Sequence, residues 1–128
     1  VISHLAFSIP AVKGIEFGSG FAASRMRGSE HNDLITDSSG STATNHAGGI
    51  NGGITNGNPL VFRIAVKPTS SIAKPQQTLN LKTRKTESLT VQGRHDTCIA
   101  LRVPVVAEAI TAIALADLLL TERARKNR

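Results

Sequence analysis

The run Val103–Leu120 limits this chain more than any other segment. Its residues are almost wholly apolar, interrupted by Glu108, Thr111 and Asp117, with Glu122 just beyond. Pro104 near its start predicts a helix from there to about Arg125, because proline's missing N–H costs nothing in a first turn. The polar interruptions leave apolar side chains around most of the circumference, and such a helix needs protein on most sides. A chain of 128 residues can bury a core, roughly 65–70 % of its unfolded surface. It has little mass left to wrap such a helix. The natural core is therefore expected to include more chain or a partner subunit. Glu108, Thr111 and Asp117 also argue against a membrane span. Val1–Val12 lacks the basic opening of a signal peptide and already contains Pro10. With no initiator Met and an opening inside a helical pattern, the chain reads as a fragment. Cys98 is the single cysteine, which excludes an intrachain disulfide and points to a reducing, cytoplasmic setting.

Upstream, Pro10 is expected to end a short helix that includes His4. Val12–Phe17 alternates apolar with small or charged residues and reads as a strand. Phe21–Met26 is expected to continue it after the Gly-Ser-Gly turn. Residues 28–47 are polar and read as a mobile loop. Leu60–Val66 reads as a strand opened by Pro59 and ended by Lys67-Pro68. Leu79–Thr83 and Ser88–Gln92 are expected to form an antiparallel pair around Arg84–Glu87. No internal repeat is found.

The net charge of +6 is unevenly placed. Residues 1–62 carry −1 and residues 63–102 carry +6, while the apolar run carries −2 and the last eight residues +3. The terminal cations suit a helix C-terminus. The central block, interleaved with glycine and hydroxyl residues, calls for an anionic ligand. Nucleic acid is a poor match, since Trp and Tyr are missing and the only rings for base stacking are Phe7, Phe17, Phe21 and Phe62. His4, His31, His46 and His95 are dispersed, without paired cysteines, so no metal site is expected.

Three segments could carry chemistry. Ala47–Pro59 is dense in glycine and asparagine, which lets a ligand approach the backbone, though such stretches are also ordinary flexible loops. It is neither a Walker P-loop nor a dinucleotide fingerprint. Lys67-Pro68-Thr69-Ser70-Ser71 sets one ammonium and three hydroxyls within five residues, suited to a phosphoryl group or to a plain turn. In Gly93–Cys98, Arg94 can hold an anion and Asp96 can accept a proton or orient a base. The same segment could instead cap a helix through Asp96 or Thr97 and fill core with Cys98.

With these blocks in view, the chain resembles the C-terminal portion of the chorismate synthase family. The carrying residues are Ser8–Gly18, Arg27–Asp33, Thr44–Pro59, Lys67–Ile72, Gly93–Cys98 and Val103–Ala109, in the family's order and spacing. The resemblance implies an α+β fold, antiparallel β-sheet packed on helices, as part of a β-α-β sandwich of which residues 1–128 form the C-terminal portion. It implies a lyase that converts 5-enolpyruvylshikimate 3-phosphate to chorismate and phosphate by 1,4-elimination, in aromatic amino-acid biosynthesis. Reduced FMN is the implied cofactor, with NADP as an associated nucleotide and the source of the reductant open. The implied flavin contacts are Pro10, Ala11, Gly52, Lys67, Pro68, Thr69, Ser70, Ser71 and Arg94, with Asp96 assisting proton removal. The implied partners are a phosphorylated small-molecule substrate and further copies in a homotetramer, with neither nucleic acid nor membrane. The family's catalytic histidines and substrate-binding arginines belong to an N-terminal half, so the four histidines here are not assigned those roles. Thr97 stands where the family commonly has proline. A basic anion- or nucleic-acid-binding module, or an assembly piece without catalysis, is the alternative.

Overall fold

The computed structural model describes residues 1–127. Helix α1 (Ile2–Ser8) ends where Pro10 cannot continue it, and the chain reverses through Ala11 into strand β1 (Val12–Phe17). Ala11 adopts φ +71, a left-handed conformation that costs a non-glycine residue about 1–2 kcal/mol. A four-residue helix, α2 (Gly28–His31), begins the next polar stretch. Strands β2 (Ile50–Asn51) and β3 (Ile54–Thr55) form a short hairpin. Strand β4 (Phe62–Val66) returns to pair antiparallel with β1, from Phe17 opposite Phe62 to Val12 opposite Val66. Strands β5 (Gln76–Leu79) and β6 (Thr86–Leu89) make a third ladder, and helix α3 (Val103–Lys126) closes the chain. The fold is α+β, as expected, with its antiparallel strands divided among three two-stranded ladders.

Two local expectations fail for identifiable reasons. Phe21–Met26 does not extend the strand; Gly20–Arg25 winds into a 3-10 helix. The Phe21 N–H donates to the Glu16 carboxylate at 2.9 Å, and Ala22 N–H donates to Ser19 O at 3.0 Å, curling the chain at once. The Arg63 guanidinium reaches the other Glu16 oxygen at 2.7 Å. The Phe21 N–H and that guanidinium hold the Glu16 carboxyl below its usual range. The β5–β6 hairpin turns earlier than the hydropathy pattern suggests. Asn80 Oδ1 accepts from Lys82 N–H and Thr83 N–H, which starts the reversal at Asn80, and Arg84 sits at φ +56.

Residues 28–47 are cross-linked by short polar contacts. Asp37 Oδ1 accepts from Ser39 N–H at 2.8 Å and Ser41 N–H at 3.2 Å, and Ile35 bridges Thr42. The Ser39 and Ser41 hydroxyls and backbone amides bring the Asp37 carboxyl down to about 2. A carboxyl with a lowered folded value binds protons more weakly folded than unfolded, so its contribution is present at neutral pH and lost in acid. Protection of the Ser39 and Ser41 amides in hydrogen exchange should therefore hold at pH 5 and fall as pH drops from roughly 4 toward 2. Flat protection across that range would show that Asp37 does not order the segment.

The buried apolar residues are Ile2, Ala6, Ile9, Val12 and Ala114, the seam where α1 meets β1 and α3. Most of α3 lies outside that seam, with Val105 73 % and Leu120 64 % exposed. Between α3 and the inward residues of β4 runs an apolar trough of about 640 Å³, lined by Phe62, Ile64, Val66, Val103, Ala107 and Leu115 among others. By length and composition, Ile99–Lys126 is also apolar enough to cross a membrane. A helix enclosed by protein has the same composition, and Ala114, fully buried in the seam, gives this one a protein contact.

Candidate functional site

The β1–β4 ladder has candidate site residues near each end. At the Val12 end, Lys67 N–H donates to Ala11 O at 2.8 Å, which seats the start of the 67–71 segment beside the strained Pro10-Ala11 turn. From Lys67 to Pro75 the backbone forms no ladder, so its amides and hydroxyls are not committed to secondary structure. Thr69 Oγ1 donates to Asp96 O at 2.9 Å, which ties this segment to Gly93–Cys98 across 27 residues of sequence. Asp96 Oδ1 in turn pairs with Arg102 Nη2 at 3.1 Å, just before α3. The structure thus brings Ala11, Lys67, Thr69 and Asp96 into one connected group. Among the described residues, neither the Lys67 ammonium nor the Arg94 guanidinium forms an ion pair. Both are exposed, as are Pro10, Pro68 and Ser70. Two exposed cations, together with the Ser70 and Ser71 hydroxyls, are a donor set suited to a phosphate-bearing ligand, while the Thr69 hydroxyl is engaged by Asp96 O.

Gly52 lies elsewhere. It is the first residue of the Gly52-Gly53 turn between β2 and β3, at φ +57 and +82, the pair of left-handed conformations that a two-residue hairpin requires. Gly53, Ile50 and Thr55 line a hollow of about 300 Å³ with Phe17, Val1–Ser3 and Leu115. That places the turn at the Phe17 end of the ladder, five residue steps or roughly 17 Å along the strands from Val12.

What connects the glycine-rich stretch to β1 is a close approach of backbones. Gly18 N–H donates to Val61 O at 2.9 Å, Ser19 N–H to His46 O at 2.8 Å, and Val61 N–H to Gly48 O at 3.1 Å. Ser19 Oγ lies 2.7 Å from His46 Nδ1, and the His46 ring stacks on His31 with centroids 5.5 Å apart. Asp33 accepts from Thr44 Oγ1 at 2.7 Å and His46 N–H at 2.8 Å on one oxygen, and from Ala47 N–H at 2.9 Å on the other. Partial burial pushes the Asp33 carboxyl up, but these three donors outweigh it and hold the group below the usual aspartate range.

Sequence reasoning missed Arg102, Asp33 and the pairing of Ser19 with His46. Arg102 had a faint signal, as a cation six positions after a candidate catalytic acid. Asp33 and His46 had none, because loop hydrogen bonds follow no period.

The comparisons with known proteins bear on the whole stretch. Residues 1–120 match the family model described as chorismate synthase. A chorismate synthase of Chitinophaga pinensis is 69 % identical over 127 residues, covering 99 % of this chain and 38 % of that protein. One from Korarchaeum cryptofilum is 52 % identical over 118 residues, covering 91 % of this chain and 33 % of its own length. A crystal structure of a chorismate synthase superposes with a TM-score of 0.51 at 45 % identity, over 55 % of this chain and 22 % of that one. The chain thus spans about a third of the length of these relatives. With the family model matched over nearly all its residues, the chain belongs to the chorismate synthase family.

Proposed function

We propose that the protein carrying this chain is a lyase that converts 5-enolpyruvylshikimate 3-phosphate to chorismate and phosphate, in the biosynthesis of aromatic amino acids, with reduced FMN as cofactor. The observation that carries this reading is the match to chorismate synthases over nearly the whole chain. The 1,4-elimination breaks one C–H bond and one C–O bond. A proton leaves to a base, its electron pair forms one new double bond, the existing ring double bond shifts by one position, and phosphate departs with the C–O electron pair. Reduced FMN, when bound, supplies electron density and a proton acceptor beside the reacting ring.

The chain's own residues fit such a ligand. Lys67, with Ser70 and Ser71, offers a charge and orientable hydroxyls to a phosphate, and Thr69, its hydroxyl held by Asp96 O, offers its backbone amide. Arg94 adds a planar donor fork. Pro10 and Ala11 form the turn against which Lys67 is seated, Pro68 shapes the segment, and Gly52 offers bare backbone from the hairpin. Asp96 receives or relays the proton, with Arg102 orienting its carboxylate. The trough and exposed leucines of α3 are where the rest of the family's length, or other copies in a homotetramer, would pack. A cytoplasmic setting suits a small phosphorylated substrate and a lone exposed Cys98. The family match does not favour a nucleic-acid-binding module.

Flavin titration tests the assignment. Lys67→Ala and Arg94→Ala, each in the full-length protein, should raise the FMN dissociation constant about 10- to 100-fold, the worth of one charge-assisted contact. Native affinity in both variants would remove these residues from the site.

A further inference from the structure

Among the residues that carry the family resemblance, the block Arg27–Asp33 and the opening residues Thr44–His46 of the block Thr44–Pro59 have no role in the reading above. They meet at one carboxylate. Asp33 takes the Thr44 hydroxyl, His46 N–H and Ala47 N–H, and so fixes the four residues that lead into the glycine-rich stretch. From there the base of the β2–β3 hairpin is pinned on both sides. Asn45 Oδ1 accepts from Gly49 N–H at 2.8 Å while its Nδ2 donates to Pro59 O at 2.8 Å, and Asn56 N–H donates to Gly49 O at 3.0 Å. At the tip the Cβ side of the turn is open, with nothing within 4 Å of where a Cβ would stand on Gly52 or Gly53, while Asn56 Nδ2 donates to Asn51 Oδ1 at 2.6 Å just below it. The base thus helps decide where the tip sits, and among the described residues Asp33 is the charged group in the contacts that hold the base.

We propose that Asp33 is a positioning residue for the cofactor: it sets the hairpin so that the backbone at Gly52 can meet FMN. This rests on the reading of Gly52 as a flavin contact. Asparagine at position 33 keeps the side chain's shape but replaces one accepting oxygen with a donor. It must then confront either Ala47 N–H or the Thr44 and His46 donors with another N–H. Glutamate keeps both acceptors.

The test is FMN titration by flavin fluorescence on the full-length protein, with a thermal melt of each variant and Lys67→Ala and Arg94→Ala as references. Asp33→Asn should weaken FMN binding roughly three- to tenfold at a temperature where the variant remains folded. Asp33→Glu should restore most of the affinity. A merely structural Asp33 would lower the melting temperature of Asp33→Asn and leave the dissociation constant at the native value, which overturns the proposal. If Asp33→Asn does not fold, Thr44→Val removes a single donor from the same carboxylate. It should weaken binding about twofold, and native affinity would be equally decisive against the proposal. Weakening in Asp33→Asn with native binding in both reference variants would support the hairpin and reject the Lys67–Arg94 assignment. Native binding in all of them would reject both.

Discussion

Asp96→Asn in the full-length protein is expected to lower turnover by about 10²- to 10⁴-fold, the usual contribution of a positioned proton-transfer group. FMN affinity should stay close to native. The structure explains why the two effects separate. It is the backbone oxygen of Asp96, not its carboxylate, that accepts from Thr69 Oγ1, so the substitution leaves the 67–71 segment tethered. Asparagine also keeps an oxygen for the Arg102 guanidinium, which now meets Asp96 at 3.1 Å. What disappears is the ability to take a proton at neutral pH. Arg102 and Asp96 are 78 % and 46 % exposed at their side chains, so the ion pair itself contributes little stability and a large loss of turnover could not come from unfolding. Steady-state kinetics beside flavin titration on the same sample settles the matter. Turnover within a factor of a few of native would reduce Asp96 to an anchor for Arg102 and Thr69.

The second large effect is on folding. Gly48→Ala should destabilise the protein by roughly 3 kcal/mol or more, measured by denaturant or thermal unfolding. Gly48 lies at φ +66, and a Cβ there would overlap Gly18 N and stand 2.6 Å from Val61 O. All of these are backbone atoms, held by the Gly18–Val61 and Val61–Gly48 hydrogen bonds, so none can swing aside as a side-chain tip would. Gly28→Ala is the matched control. A Cβ on Gly28 meets nothing within 4 Å, and that substitution should change stability by about 0.5 kcal/mol at most. Equal effects at the two positions would mean that the junction is not close-packed.

Periodicity made several elements legible. Phe62–Val66 alternates with period two because one face of its ladder turns inward, and Val12–Phe17, whose apolar residues are separated by small or charged ones and which carries an irregularity between Val12 and Gly14, was also readable as a strand. Val103–Lys126 was readable as a helix from Pro104, the apolar run and the terminal cations. The clustering of positive charge in residues 63–102 was also readable, since charge is a property of composition. Phe21–Met26 was not legible, because Glu16 and Ser19 capture its first amides and no propensity scale carries a contact of that kind. The β5–β6 register was missed for the same reason, a side-chain oxygen of Asn80 starting the turn.

For this protein the sequence by itself determined the strands of the main ladder, the closing helix, the location of the positive charge and the family resemblance. All of these depend on residue type and spacing along one segment. Only the tertiary structure decided that Thr69 holds the backbone of Asp96, that Arg102 pairs with its carboxylate, and that Asp33 gathers Thr44, His46 and Ala47. It alone separated Gly52 from Lys67 by the length of the β1–β4 ladder. These are hydrogen bonds between segments far apart in the chain, formed once the backbone has brought their donors and acceptors within about 3 Å, and no local pattern of residues encodes such a meeting.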